Sequence, residues 1–350
     1  MKKLFFSLVV ILFAATSCQE ETAPSIMPVE EVPVVLDINV PELGATRGDE
    51  TDITGMDSAL GAIDNFDAAN LWGKYDIRYI LEVYEITSGS ENLSQPIINR
   101  MVNILDNYQP TTFKTRLVPN REYRFVVWAD FVAQDSYLAE DPLKIEGLCY
   151  NASDLKNITP TKWSAMDESR DAYFVTADVY IKTTLERELT LKRPFGKLRV
   201  ITTDLEELNY GSKPYKVKVT YYNHPIYDSL NAITGRLNTT TKDLTYEFTV
   251  DKTSPYTAGD YDSQAANQTL FVDYLYAGED QSELNFIMEV REEDGRMIKS
   301  LDFCTQIPLQ RNHLTTVIGK LLTIESLIGI DINDNFMNDA DDEDWIIPAE

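Results

Sequence analysis

Histidine is nearly absent from this sequence, with His224 and His313 alone among 350 residues, and there are only three cysteines. Neither histidine has a Cys, a serine motif or an acid at the spacing that defines a zinc site or a catalytic triad. No Walker loop, dinucleotide glycine fingerprint or Gly-x-Ser-x-Gly elbow occurs. Paired carboxylates, which could serve glycoside hydrolysis, are uninformative in a chain with 57 Asp and Glu. The sequence thus names no catalytic residue, metal ligand set or cofactor, which leaves an enzymatic reading without a site. Basic charge is scarce too: 31 Lys and Arg leave a net charge of −26, which repels phosphate backbones and excludes nucleic acid as a partner. There is no fixed-period repeat of the solenoid or propeller kind. What is present is core material, with 43% apolar and 11% aromatic residues over a length that suggests two domains.

Residues 1–17 read as a lipoprotein signal peptide, with Lys2 and Lys3, an apolar run from Leu8 to Ala15, and small residues leading to Cys18. Ala15-Thr16-Ser17-Cys18 resembles the lipobox of bacterial lipoproteins, with Ala where Leu is usual. That resemblance makes Cys18 the lipidated first residue of the mature chain; a plain signal peptide cut near the same place is the alternative. Loss of residues 1–17 removes two lysines and takes the charge from −26 to −28. No later segment reaches 18 consecutive apolar residues, so the mature protein is expected to be held at a membrane by lipid and not to span it. Gln19-Glu20-Glu21 resembles the signal that sends lipoproteins of some gut and oral anaerobes to the outer face of the outer membrane.

The body is patterned for strands. Val32 to Val40 is a short β-type segment, and Tyr75 to Ile86 places Ile77, Tyr79, Leu81 and Val83 on one face. Thr112–Val118 and Glu122–Val132 are joined by Pro119-Asn120, which predicts a hairpin. Residues 142–171 predict a long connection. Ala172–Ile181, Phe195–Thr203, Lys216–Tyr222, Leu244–Val250, Thr269–Tyr276, Leu284–Arg291, Lys299–Thr305 and Leu314–Thr323 are further strands. Helix signals are confined to Ala59–Asn70 and Thr203–Asn209, the latter with Asp204 as its N-cap. Many short strands without regular alternation of strand and helix predict a mainly β protein of two antiparallel β-sandwich domains. The expected division is a leader over 18–47 with a removable first strand, an N-terminal sandwich over 48–192, a C-terminal sandwich over 193–325 and an acidic tail over 326–350.

Three segments carry a resemblance: Val118-Pro119-Asn120-Arg121-Glu122-Tyr123 running into Phe125 to Asp130, Arg193-Pro194-Phe195-Gly196-Lys197-Leu198-Arg199-Val200, and Ile307 to Thr323 with Arg311-Asn312-His313 and Gly319 to Thr323. Together they resemble the fimbrillin superfamily, the pilus and surface lipoproteins of gut and oral anaerobes. The resemblance implies two tandem transthyretin-like sandwiches, no enzymatic activity, and assembly with other fimbrial subunits, as a homo- or hetero-polymer, by donor-strand exchange. In that scheme a protease cuts after Arg47, between it and Gly48, and the first strand leaves with Val35, Ile38 and Val40 among its apolar side chains. The alternative is that Arg47 is an ordinary linker residue in a subunit that keeps its lipid. Arg47-Gly48-Asp49 also spells the integrin tripeptide, a match too short to weigh.

Residues 326–350 hold eight acids and no Lys or Arg, with apolar clusters at Leu327-Ile328, Ile330, Ile332 and Trp345-Ile346-Ile347. By the same resemblance the tail is the donor strand, with Trp345, Ile346 and Ile347 as its anchor; an acidic, solvated tail is the plain reading. Asp331 to Asn335 alternates like a calcium loop, but Phe336 stands where an EF-hand needs Gly, which leaves weak binding by the acidic cluster. Asp57-Ser58-Ala59 and Asp228-Ser229-Leu230 resemble O-glycan acceptor motifs, both expected in exposed loops. Cys149 and Cys304 either pair or stand as separate buried thiols. The main reading is a fimbrial or adhesin subunit at the cell surface, anchored to the outer membrane by lipid, with a host or bacterial surface ligand as a further partner; the alternatives are a non-polymerising surface lipoprotein that binds a glycan or host ligand, or the fimbrial anchor subunit.

Overall fold

The computed structural model describes residues 30–40, 74–87, 93, 95–106, 109–208, 214–222, 226–238, 244–249, 268–323, 328–333 and 345–347. Cys18, Arg47, Gly48, Ser58, His224 and the helix expected over Ala59–Asn70 lie outside the described residues. The strands are β1 Val32–Asn39, β2 Tyr75–Ile86, β3 Ile98–Leu105, β4 Thr111–Leu117, β5 Arg121–Ala133, β6 Tyr150–Asn151, β7 Thr159–Pro160, β8 Ala172–Ile181, β9 Leu185–Thr190 and β10 Phe195–Thr202. They continue as β11 Lys216–Tyr221, β12 Ser229–Asn231, β13 Arg236–Asn238, β14 Leu244–Thr249, β15 Gln268–Tyr276, β16 Ser282–Arg291, β17 Met297–Leu309, β18 Leu314–Gly319, β19 Ile328–Asn333 and β20 Trp345–Ile347.

Four sheets face each other in two pairs. The order β4-β1-β9 lies over β3-β2-β5-β8, and β15-β10-β18-β19-β20 lies over β14-β11-β16-β17. Each pair encloses its own apolar cluster: Val34, Leu36, Phe113, Tyr79, Phe125 and Val127 in the first, Val200, Val219, Phe271, Phe286, Leu301 and Val317 in the second. The fold is mainly β and mostly antiparallel, as the alternation predicts. Among the described residues two ladders are parallel, β1 with β9 and β10 with β18.

Strand β2 shows how far periodicity reaches. Ile77, Tyr79, Leu81 and Val83 all face the first cluster with no exposed surface, as expected. The other face is buried as well, at Asp76, Arg78, Ile80 and Glu82. The long connection over 142–171 covers it, so a third cluster forms between the two sandwiches. There Ile80, Val126 and Trp128 of the first meet Phe195, Val272, Tyr274 and Tyr276 of the second, with Cys149, Tyr150, Leu155 and Ile158 wedged between them. Phe195 stacks on Tyr276 at 4.9 Å and on Tyr150 at 5.6 Å between ring centres.

Several expectations are corrected. Pro119-Asn120 is not a hairpin: β4 pairs with β1, β5 pairs with β2 and β8, and the turn carries the chain from one sheet to the one facing it. Both strands turn apolar residues to one shared cluster, so pairing them edge to edge would waste that burial. Asn120 takes a left-handed φ of 61°, its N–H donates to the Ile181 carbonyl at 2.6 Å, and the Tyr123 hydroxyl donates to the Val118 carbonyl at 2.8 Å. Thr203–Asn209 is not a helix but a single 3-10 turn, Leu205–Glu207, and the Asp204 side chain does not cap it. Strand β3 escapes the sequence reading because its Asn and Arg residues break the alternation; Arg100 sits there at φ 36° beside a bulge in the β2–β3 register.

Candidate functional site

Strand β1 is short, amphipathic and N-terminal, yet it holds the centre of its sheet. Its residues alternate, so Val34, Leu36 and Ile38 point inward with 0% exposure while Pro33 and Asp37 face outward. It runs antiparallel to β4 from Val32 opposite Leu117 to Ile38 opposite Thr111, and parallel to β9 from Val34 opposite Leu185 to Asn39 opposite Thr190. Main-chain ladders therefore hold it on both sides. Of the residues marked in advance, Ile38 is buried; Val35 is half-buried on the outer face; Val40 lies one residue past the strand, half-buried against the same cluster. The seat selects Val34, Leu36 and Ile38 as the inward set.

Polar contacts fix the register. Asp37 Oδ1 accepts a hydrogen bond from Thr112 Oγ1 at 2.7 Å, the Asn39 amide donates to Glu188, and Arg116 donates to the Glu31 carbonyl. The Leu191 N–H donates to the Asn39 carbonyl at 2.9 Å. Burying three branched aliphatic side chains contributes on the order of 5–9 kcal/mol to keeping β1 in place. Were β1 to leave, β4 and β9 would each present a bare edge on either side of an open apolar trough, the template that strand addition needs.

The tail does not simply trail away. Ile328–Asn333 adds to the second sandwich as β19, antiparallel to β18, and Trp345–Ile347 adds beyond it as β20, with Trp345 opposite Ile330 and Ile347 opposite Ile328. Asp331 to Asn333 is thus strand where the calcium reading expects a loop. Among the described residues no group of three or more His, Cys, Asp and Glu is arranged to hold a metal ion.

The chain just before β19 is clamped by Asp204. This carboxylate is fully buried and accepts from the N–H groups of Leu322 and Thr323, at 2.9 and 2.7 Å, and from the hydroxyls of Thr323 and Thr202. Burial pushes its pKa up, but these hydrogen bonds outweigh burial and hold it below the ordinary 3.8. A lowered folded pKa means stability that is present above the unfolded value and lost as the pH falls through the folded one. Asp204→Ala should therefore cost about 3 kcal/mol at neutral pH, the loss of charged hydrogen bonds from a buried site, with the deficit shrinking below about pH 4. Urea melts of both proteins across pH 2.5–7 check this.

The motif segments meet in space. Asn312 adopts φ 61°, its N–H donates to the Phe195 carbonyl at 2.7 Å, and its side-chain oxygen accepts from the Arg193 N–H at 3.0 Å. Arg311 donates to the Ala277 carbonyl at 3.0 Å, and the His313 ring rests 2.7 Å from the Arg311 carbonyl. A side chain on Gly196 would press on Leu309 and come within 2.9 Å of the Gln310 carbonyl. These residues lock the start of β10 to the turn before β18 and so serve the fold.

A family model matches residues 27–348. The chain belongs to the family of unknown function DUF6562. No curated protein matches it. The solved structures it is similar to include proteins described as fimbrial, cell adhesion and polysaccharide-binding proteins. They include a candidate cell adhesion protein from Bacteroides ovatus, at 15% identity and a TM-score of 0.47, over 89% of this chain and 100% of that one. The tip fimbrial protein Mfa3 from Porphyromonas gingivalis aligns at 8% identity and 0.42, over 87% and 100%. The fimbrial anchor protein Mfa2 from the same organism aligns at 11% and 0.40, over 91% and 100%.

Cys149 and Cys304 are both free, the first buried and the second exposed. Burial pushes the Cys149 thiol pKa up, so a maleimide at neutral pH should label Cys304 in the native protein and reach Cys149 only after denaturation, as peptide mass mapping would show. Ser229 is 4% exposed inside β12, opposite Asn238, so the second glycan motif is not in an exposed loop and its hydroxyl is closed to modification.

Proposed function

We propose that the protein is a structural subunit of a cell-surface fimbrium, or a fimbrillin-like adhesin, exported as a lipoprotein through Cys18 and assembled by donor-strand exchange. The observation that carries this reading is β1: an N-terminal strand seated between β4 and β9, preceded by a short leader and followed by the polar stretch that contains Arg47. Cutting after Arg47 would sever the covalent link between β1 and the rest of the chain from β2 onward. The seat it leaves is extended, apolar inside, and edged by two strands with unsatisfied backbone groups, a good acceptor for a strand of a second subunit. The C-terminal tail, including Trp345, Ile346 and Ile347, supplies the donor. The resemblance of the three motif segments to fimbrillins supports the same reading, with other fimbrial subunits as partners and the cell surface as the location.

Intact mass and N-terminal sequence of the protein taken from its own cell surface test it. A chain that begins at Gly48 and runs in heat-resistant oligomers is the expected result. A monomer that still begins at acylated Cys18 would overturn polymerisation by this route and leave a solitary surface lipoprotein.

A further inference from the structure

Two strands of this chain carry nearly the same sequence. Residues 34–39 of β1 read Val-Val-Leu-Asp-Ile-Asn, and residues 328–333, which are β19, read Ile-Gly-Ile-Asp-Ile-Asn. Asp37, Ile38 and Asn39 recur as Asp331, Ile332 and Asn333, while Val34 and Leu36 are matched by Ile328 and Ile330. The match falls on the positions that the seat reads. Val34, Leu36 and Ile38 are the three wholly buried side chains of β1, and each is answered by isoleucine. Asp37 and Asn39 are the two residues whose side chains bond across to Thr112 and Glu188, and both recur unchanged. The one small replacement, Gly329, falls opposite Val35, which lies half-buried on the outer face.

Resting on the strand-exchange reading above, we infer that the donor is Ile328–Asn333, and that it fills the β1 seat of a second copy in register, Ile328 in the place of Val34 through Asn333 in the place of Asn39. Register in a strand is all-or-none, because a slip of one residue turns every inward side chain outward. A tail that repeats both the apolar phase and the polar bonds of the strand it replaces meets that requirement. Trp345–Ile347 is three consecutive apolar residues without the alternation that the seat reads. Within its own subunit β19 pairs with β18 and β20, and the Asp204 clamp at Leu322 and Thr323 marks the point up to which the chain would stay fixed when β19 departs.

Two experiments decide it. In the full chain, only V34I, V35G and L36I are needed to write the tail sequence into β1. This triple variant should keep its first strand seated, with the amides of residues 36–38 as slow to exchange hydrogen as in the wild type. Rapid exchange there would overturn the inference. In trans, a full chain with a specific protease site in place of residues 45–48 is cut and challenged with labelled peptides of residues 32–39, 326–335 and 341–350. The 326–335 peptide should displace the first strand, and its I330D form should bind at least about tenfold more weakly, since losing one buried aliphatic side chain exceeds that factor. If 32–39 rebinds and 326–335 does not, the donor assignment fails while strand exchange stands. If no peptide enters, including 32–39, the strand-exchange reading itself fails.

Discussion

Leu36→Asp should unseat the first strand while leaving the rest of the molecule folded. Leu36 is wholly buried at the middle of β1, opposite Phe113 on one side and Arg187 on the other. Replacing it removes about 1.5–3 kcal/mol of apolar burial and adds the cost of placing a carboxylate in an apolar trough, together on the order of 5 kcal/mol. That is comparable to what holds the strand. The expected result is a chain whose residues 30–40 become sensitive to proteases, which binds a hydrophobic dye, and which associates at lower concentration than the wild type. Val35→Asp, on the outer face of the same strand, should change stability by no more than about 1 kcal/mol and leave dye binding as it was. Equal effects of the two substitutions would mean that the phase of β1 is not what holds it.

Arg170→Ala should be the most destabilising single change between the sandwiches. Arg170 lies on the long connection after β7 and pairs with Asp273 of β15, both almost wholly buried. It also donates to the carbonyls of Ser164 and Tyr274, each at 2.6 Å, and Tyr221 donates to the other Asp273 oxygen at 3.0 Å. Truncating one partner of such a pair leaves a buried charge without compensation, which costs about 3–5 kcal/mol. Because the arginine belongs to the segment wedged between the two halves, its loss should also split one calorimetric unfolding transition into two. Burial already pushes the Asp273 pKa up, with Arg170 opposing it, and without Arg170 the rise is larger. A carboxyl whose folded pKa is raised contributes stability below its unfolded pKa and loses it as the pH climbs through the folded value. The Arg170→Ala deficit should therefore be greatest at neutral pH and narrow on acidification, the reverse of wild-type acid denaturation driven by lowered carboxyls such as Asp204. A deficit that stays constant from pH 4 to 7 would remove Asp273 from this account.

Strands with a clean two-residue period could be read directly: β2 and β8 fall at the residues the alternation predicts, β10, β11 and β15 differ by a residue at one end, and β5 by a residue at each end. Side chains in a strand alternate whatever surrounds it, so the pattern survives into the sequence. Partner choice leaves no such trace. The Pro119-Asn120 turn looks the same whether its strands pair with each other or cross between facing sheets, and Asp204 looks like an N-cap until Leu322 and Thr323, more than a hundred residues later, arrive at its carboxylate. The double burial of β2 was equally hidden, because the cover comes from a connection with little periodicity of its own.

The sequence by itself determined that this is an acidic, mainly β chain with an apolar first strand and an acidic tail, since composition and local periodicity are properties of each segment alone. Even the likeness of residues 34–39 to 328–333 is written there. Only the tertiary structure decided that the first of these segments is the centre of a sheet, which of its side chains face inward, and that the second is a strand at all. A seat is made by β4 and β9 together, and no segment read alone contains the edges that another one supplies.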